Sequence, residues 1–298
     1  MISQSQINCY INCSKKYQYK YILKLKPSNE TTPENIIIGK LLHKIIEIFI
    51  SEGVEPSDDN LIKIFIKELP DFCFKIDYEK VKDFLKDVFT YDYIKIYDFL
   101  LNNLKENYLY LIENRKEELK TKTNIYLSTF NLILKFRDFI LTEIKNGLLN
   151  DYVKFETEKQ IVFNDLQGFC DLICYDNDFT TTIIDFKTSK RDYKFDKKIQ
   201  DILYSYIIYK NTNEIPFFEY IAIKYSNKIN DDFILTRQKI SYNENDFEII
   251  EDFLDNFKRG VEANVFLRNE SSFLCSKDFC EYYNECQKYK LEPQNENE

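Results

Sequence analysis

From Lys154 onward the apolar residues stop recurring every third or fourth position and begin to alternate, giving three runs of period two, about 154–163, 168–175 and 180–187. Alternating runs this close together pair as neighbouring strands, and a sheet needs helices to cover it. The flanking sequence provides them. Ile7, Tyr10, Ile11, Tyr17 and Tyr21 mark a helix over about 3–25, opened by Ser3 and Gln6 as a capping box. A second helix is expected over about 35–51, after a loop with Pro27 and Pro33. Helical patterns fill 60–150 with no internal repeat. After the strands come a helix over about 196–210, strands near 217–225 and 233–240, and a helix through Phe247, Ile250, Leu254 and Phe257 that is expected to end at Gly260. No linker divides the chain. The expectation is one α/β domain over 1–290, with a helical insertion at 60–150 and a polar, disordered tail over 291–298.

The 298 residues, 44% of them hydrophobic, are enough for one large core. No run approaches a membrane span, the N-terminus lacks the pattern of a secretory leader, and a cytoplasmic protein is expected. Eight cysteines then read as free thiols or metal ligands rather than a disulfide framework. The net charge of −9 argues against bulk nucleic-acid binding, although local charge decides that question.

Two carboxylates and an amine interrupt the apolar strands. In "GFCDLICY" (168–175), Phe169, Asp171, Ile173 and Tyr175 share one face; in "TIIDFK" (182–187), Ile183, Asp185 and Lys187 share one. With "DND" (176–178) as the hairpin turn, Asp171 pairs near Ile183 and Asp185 lies diagonally across, roughly 7–8 Å away at Cα. An edge strand with solvated charges is the plain reading. The chemical one is a hard-cation site, because carboxylate oxygens suit Mg²⁺ or Mn²⁺ and the neighbouring amine can hold a water.

Gly168-x-x-Asp171 followed by Asp185-x-Lys187 resembles the core of the PD-(D/E)XK nucleases. "GKLLH" (39–43) and "QDILY" (200–204) resemble the G-x-x-x-H and Q-x-x-x-Y motifs of the RecB-like branch, and Glu158 stands on the strand where that family often has an acid. The resemblance implies a restriction-endonuclease-like central mixed sheet flanked by helices. It also implies a metal site of His43, Asp171 and Asp185, with Glu158, Lys187, Gln200 and Tyr204 completing the catalytic set. His43 is the only histidine in the chain; without the resemblance, a core histidine and a metal ligand are equally good readings of it.

"FLCSKDFCEYYNECQKY" carries Cys275, Cys280 and Cys286, and Cys13 near the N-terminus supplies a fourth thiol, with Cys9 one turn away as an alternative. One cysteine before the nuclease core and three after it resembles iron–sulfur RecB-like nucleases, among them AddB-type nuclease domains and CRISPR-associated adaptation exonucleases. That implies a 4Fe–4S cluster joining the N-terminal segment to a Cys segment at 262–289. Thiolate ligation also suits Zn²⁺, and the C-x4-C gap is longer than the family's usual C-x2-C. Cys73, Cys170 and Cys174 read as small buried hydrophobes.

Two basic runs suit a polyanion: Lys15, Lys16 and Lys20 near the start, and Lys190 and Arg191 after the strands. Tyr17, Tyr19, Tyr21 and Tyr193 lie among them as candidates for base stacking. The combined reading is a divalent-metal-dependent deoxyribonuclease, an exonuclease on single strands or free ends, with a helicase or CRISPR adaptation proteins as partners. Its alternative is a non-catalytic DNA-binding or scaffolding subunit that keeps the fold.

Overall fold

The structure is a computed structural model that describes residues 1–28, 34–55, 57–68, 150–189, 192–193, 195, 199–224 and 234–291. Most of the expected helical insertion, the tail from 292, Cys73, Lys190 and Arg191 lie outside the described residues.

Apolar alternation builds the sheet where the sequence leads one to expect it. β2 (Lys154–Phe163), β3 (Leu166–Tyr175) and β4 (Thr181–Ser189) run as an antiparallel meander. β5 (Phe217–Lys224) lies parallel to β4, and β6 (Ile234–Ile240) closes the far edge antiparallel to β5. A short β1 (Ile2–Ser3), not foreseen, pairs parallel with Leu166 and Gln167. β2 takes one edge of β3 along its length. The other edge belongs to β4 over Leu172–Tyr175 and to β1 over Leu166–Gln167, so the stretch between them, ending at Asp171, has no ladder partner on that side.

β4 and β5 are the central strands. Their near-continuous apolar runs are buried on both faces, the usual state of parallel neighbours. The parallel step from β4 to β5 is made through α5 (Ile199–Thr212), a βαβ crossover whose helix packs back on β2, β3 and β5. α3 (Glu34–Ser51) packs on β2 and β4 and carries α4 (Asp58–Glu68) beside it. α6 (Glu244–Glu262) buries Phe247, Ile250, Leu254 and Phe257 against α5, as its spacing requires.

Three local expectations are corrected. α6 runs through Gly260 to Glu262, and the left-handed residue after it is Asn264 at φ 55°. Gly260 is there for room: a Cβ on it would stand 2.3 Å from the Tyr10 hydroxyl. The N-terminal helix is not continuous either. α1 (Gln4–Asn12), opened by the expected Ser3/Gln6 capping box, stops at Cys13, whose extended backbone breaks it. α2 (Ser14–Tyr17) and one π-helical turn (Gln18–Ile22) follow, the kind of irregularity that gathers at functional sites. Finally, the β3–β4 turn is longer than "DND". Asp176 accepts at Oδ1 from the backbone N–H groups of Asp178 and Thr180, and Phe179 takes φ 61°. The longer turn moves the register by two residues: Ile173 pairs with Ile183, and Asp171 falls level with Asp185. A slip of two preserves the faces, so the two carboxylates still converge.

The chain ends are also joined more fully than the sequence suggests. α7 (Tyr283–Leu291) ends the described chain, and the segment before it hydrogen-bonds to the N-terminal helices. The Lys15 N–H donates to the Leu267 carbonyl at 3.0 Å, and Asn269 donates to the Asn12 carbonyl at 2.8 Å. Lys16 pairs with Glu281 at 2.7 Å, and Tyr10 and Tyr17 meet the Phe257 ring edge-on.

Candidate metal centre

β3 and β4 stop pairing beyond Leu172 and Ile184, and both Asp171 and Asp185 stand just past that point. Asp171 spans the opening, where its Oδ2 accepts from the Phe186 N–H at 2.8 Å and its Oδ1 lies 3.2 Å from His43 Nδ1. His43 reaches it because α3 lies close to β4. A Cβ on Gly39, one turn before His43, would be 3.3 Å from Thr188 Oγ1, which gives the glycine of G-x-x-x-H a packing role.

Glu158 joins them by a backbone departure. It sits in β2 at φ 45°, a conformation that side chains rarely adopt and that costs about 1–3 kcal/mol. The β2–β3 ladder skips this one position, between the Thr157–Leu172 and Lys159–Cys170 pairs. The result is that ligand atoms of His43, Glu158 and Asp171 all lie within 4.8 Å of one another, the one such group of three or more His, Cys, Asp or Glu side chains among the described residues. A groove lined by Gly39, Lys40, His43, Lys44, Glu47 and Glu158 opens beside them. An imidazole and two carboxylates are a donor set that fits Mg²⁺ or Mn²⁺.

Asp185 is placed differently from the expected ligand set. It is buried, with Lys187 Nζ 2.6 Å from its Oδ2 and Gln200 donating to its Oδ1 at 2.6 Å. Gln200 uses its carbonyl to accept from Lys187 at 3.1 Å, so one amide from the first turn of α5 holds both members of the D-x-K pair. Tyr204, one turn on, lies flat over Gly168: a Cβ there would come within 2.5 Å of its ring. The glycine of G-x-x-D and the tyrosine of Q-x-x-x-Y are therefore one contact seen from two sides. Tyr204 supports β3 and does not itself belong to the cation-binding group.

Charge is held under strain here. Burial pushes the Asp185 carboxyl well up, with the Asp171 charge adding to it and Lys187 opposing. Burial and the nearby Asp171 charge likewise raise Glu158. Burial disfavours the charged imidazole of His43, but the hydrogen bond to Asp171 and the charges of Asp171 and Asp185 outweigh it, and its pKa is raised. Glu158 and His43 hold protons tightly beside Asp171, an arrangement that a divalent cation would relieve.

The cysteines meet where the N- and C-terminal segments join. Cys13, Cys275, Cys280 and Cys286, together with Cys9, line one cavity of about 230 Å³, along with Lys16, Lys20 and Arg268. Thiols around one cavity suit either an iron–sulfur cluster or Zn²⁺. Cys170 and Cys174 are buried in the sheet, as expected of small hydrophobes.

Lys16 and Lys20 border the cysteine cavity and face Glu281, at 2.7 and 4.0 Å, rather than the acidic centre. Lys15 donates to Gln18. Tyr17 and Tyr19 are buried and present no face to a base; Tyr193 packs on Phe195 and Tyr220. Besides Lys187, Lys40 and Lys44 line the groove beside the centre, Lys44 paired with Glu47 at 2.8 Å; neither was among the expected site residues. Their signal was available, since both flank His43 on the same helix.

A sheet splayed over paired acids, with a lysine two residues beyond the second, defines a class of acidic, lysine-bearing cation sites. The family model of the PD-(D/E)XK nuclease superfamily matches residues 1–287, and the chain belongs to that superfamily. Its members generally use divalent metals, and the family implies DNA as the substrate. A comparison with curated proteins gives no match. Among solved structures, the chain is similar to a candidate exonuclease from Eubacterium rectale, at 11% identity and a TM-score of 0.48 over 92% of this chain and 86% of that one. It is also similar to SSO0001, at 16% identity and a TM-score of 0.29 over 64% of this chain and 96% of that one. At these scores the family assignment rests on the family model. No described helix is long and apolar enough to cross a membrane.

Proposed function

We propose that the chain is a divalent-metal-dependent deoxyribonuclease of the RecB-like branch, acting on single strands or free ends, with a 4Fe–4S cluster between its N- and C-terminal segments. The observation that carries the catalytic part is the convergence of His43, Glu158 and Asp171 at the mouth of the β3–β4 opening, with Lys187 and Asp185 just inside it. Asp171, Glu158 and His43 would hold Mg²⁺ or Mn²⁺, with Asp185 turning to it from Lys187; the ion would supply charge stabilisation at the phosphate oxygens. Lys187 orients the attacking water with its ammonium, and Gln200 keeps that ammonium from swinging away. Lys40 and Lys44 hold the backbone phosphates. Such contacts carry little sequence information, so cleavage with little sequence preference is expected.

The cluster is supported by the five thiols around one cavity and by the cations of Lys16, Lys20 and Arg268 beside them, which suit an anionic group. Cys13, Cys275, Cys280 and Cys286 would hold it. The enzymatic test is incubation with end-labelled linear and circular single-stranded DNA in Mg²⁺, Mn²⁺ or EDTA. Metal-dependent loss of the linear strand alone is expected. Cutting of the circle would replace the exonuclease reading with an endonuclease one, and no cutting in any metal would leave a DNA-binding subunit.

A further inference from the structure

Along β3, Gly168 and Cys170 are buried toward α5, and between them Phe169 projects from the opposite face with 52% of its surface exposed. That face carries α3 and the His43–Asp171 contact. A phenylalanine in the middle of a paired strand usually lies under cover. On the β2 side the ladder is intact, for Phe169 sits directly opposite Gln160, which is exposed as well; its other edge belongs to the stretch without a ladder partner that ends at Asp171. Asp171 is two residues along the same strand, about 6.6 Å away at the usual strand rise.

We propose that Phe169 is the platform on which an unpaired nucleobase stacks when the adjoining phosphate of its strand occupies the metal centre, with the Gln160 amide at the edge of that base. This rests on the nuclease reading and adds to it the residue that recognises the base. Stacking is indifferent to sequence because every base has a π-face, which suits an enzyme that otherwise touches phosphates. It also requires a base that is free of its partner, so a single strand or a frayed end is favoured over a closed duplex. Tyr17 and Tyr19, the aromatic residues nearer the basic N-terminal run, are buried and cannot take this part.

The test uses a single-stranded oligodeoxynucleotide with 2-aminopurine at its terminal base, since stacking quenches that fluorophore. In EDTA, the wild-type protein should quench the signal on binding; Phe169→Ala and Phe169→Leu should bind with little quenching, and Phe169→Trp should restore it. In Mg²⁺ the Ala and Leu variants should raise KM about ten-fold, within the range expected of one stacked base, with kcat changed less than about two-fold. The Leu variant keeps the apolar bulk of the strand, so its loss of quenching cannot be laid to misfolding. A wild type that cleaves while Phe169→Leu quenches and cleaves equally well overturns the stacking role alone. A wild type that neither binds nor cleaves the strand overturns the nuclease reading with it.

Discussion

Asp185 and Glu158 both have raised pKa values and both must give up a proton to take a cation; His43 is raised too, and must be neutral to act as a ligand. For each group the folded state binds the proton more tightly than the unfolded chain, so the apo protein loses stability as pH rises through the raised values. A bound cation reverses that loss. The increase in Tm on adding Mn²⁺ should therefore grow as pH is taken from about 6 to about 8, as read by thermal melts with and without metal. A shift that shrinks over that range would mean the cation binds elsewhere. His43→Ala should weaken metal use more than DNA use. Its activity should recover in part at high Mn²⁺, which accepts looser geometry than Mg²⁺. Identical metal titrations for variant and wild type would make His43 a packing residue. The residues of this centre were named through the resemblance to the PD-(D/E)XK nucleases, since spacing alone leaves His43 equally a core histidine and Gln200 and Tyr204 ordinary packing. The share each takes in the centre could not be named that way. The position of Glu158 beside Asp171 depends on a left-handed backbone that no local signal announces.

At the level of elements, alternation located β2 to β6 to within a few residues, but it located them without their register. That was fixed by a turn whose side-chain capping by Asp176 lengthened it beyond the three polar residues that mark it in the sequence. Glycines show the same divide. Gly168, Gly39 and Gly260 are all places of close approach, and the approaching group comes from another element each time, so the sequence shows the glycine and hides its reason. Gly168→Ala should drive a methyl into the Tyr204 ring and destabilise the protein by about 1–3 kcal/mol. Adding Tyr204→Leu should recover much of the loss, and a denaturation cycle over the four proteins measures this. Strict additivity would show that the two residues do not bear on each other.

Across the whole molecule, two centres sit on one framework: an acidic one at the β3–β4 opening and a thiol cavity where the chain ends meet. The second was legible as a set of cysteines, yet nothing local hints that the ends hold together without them, because Leu267, Asn269 and Glu281 meet their N-terminal partners across more than 250 positions. Cys13→Ser should therefore lose iron without freeing the N-terminal helices. New protease cuts should fall in the 268–282 segment before α7, while Cys9→Ser should keep both iron and the wild-type cutting pattern. Retained iron in Cys13→Ser would move the ligand role to Cys9.

The central proposal is a nuclease centre in which Lys187 acts on the chemical step. The direct measurement is the single-turnover cleavage rate of an end-labelled linear single strand in Mg²⁺, for wild type and Lys187→Ala side by side, with binding measured on the same strand. The expected rate is at least about 100-fold lower in the variant, with affinity within a few-fold, because affinity comes from other lysines. A Lys187→Ala protein that cleaves at the wild-type rate would contradict the proposal.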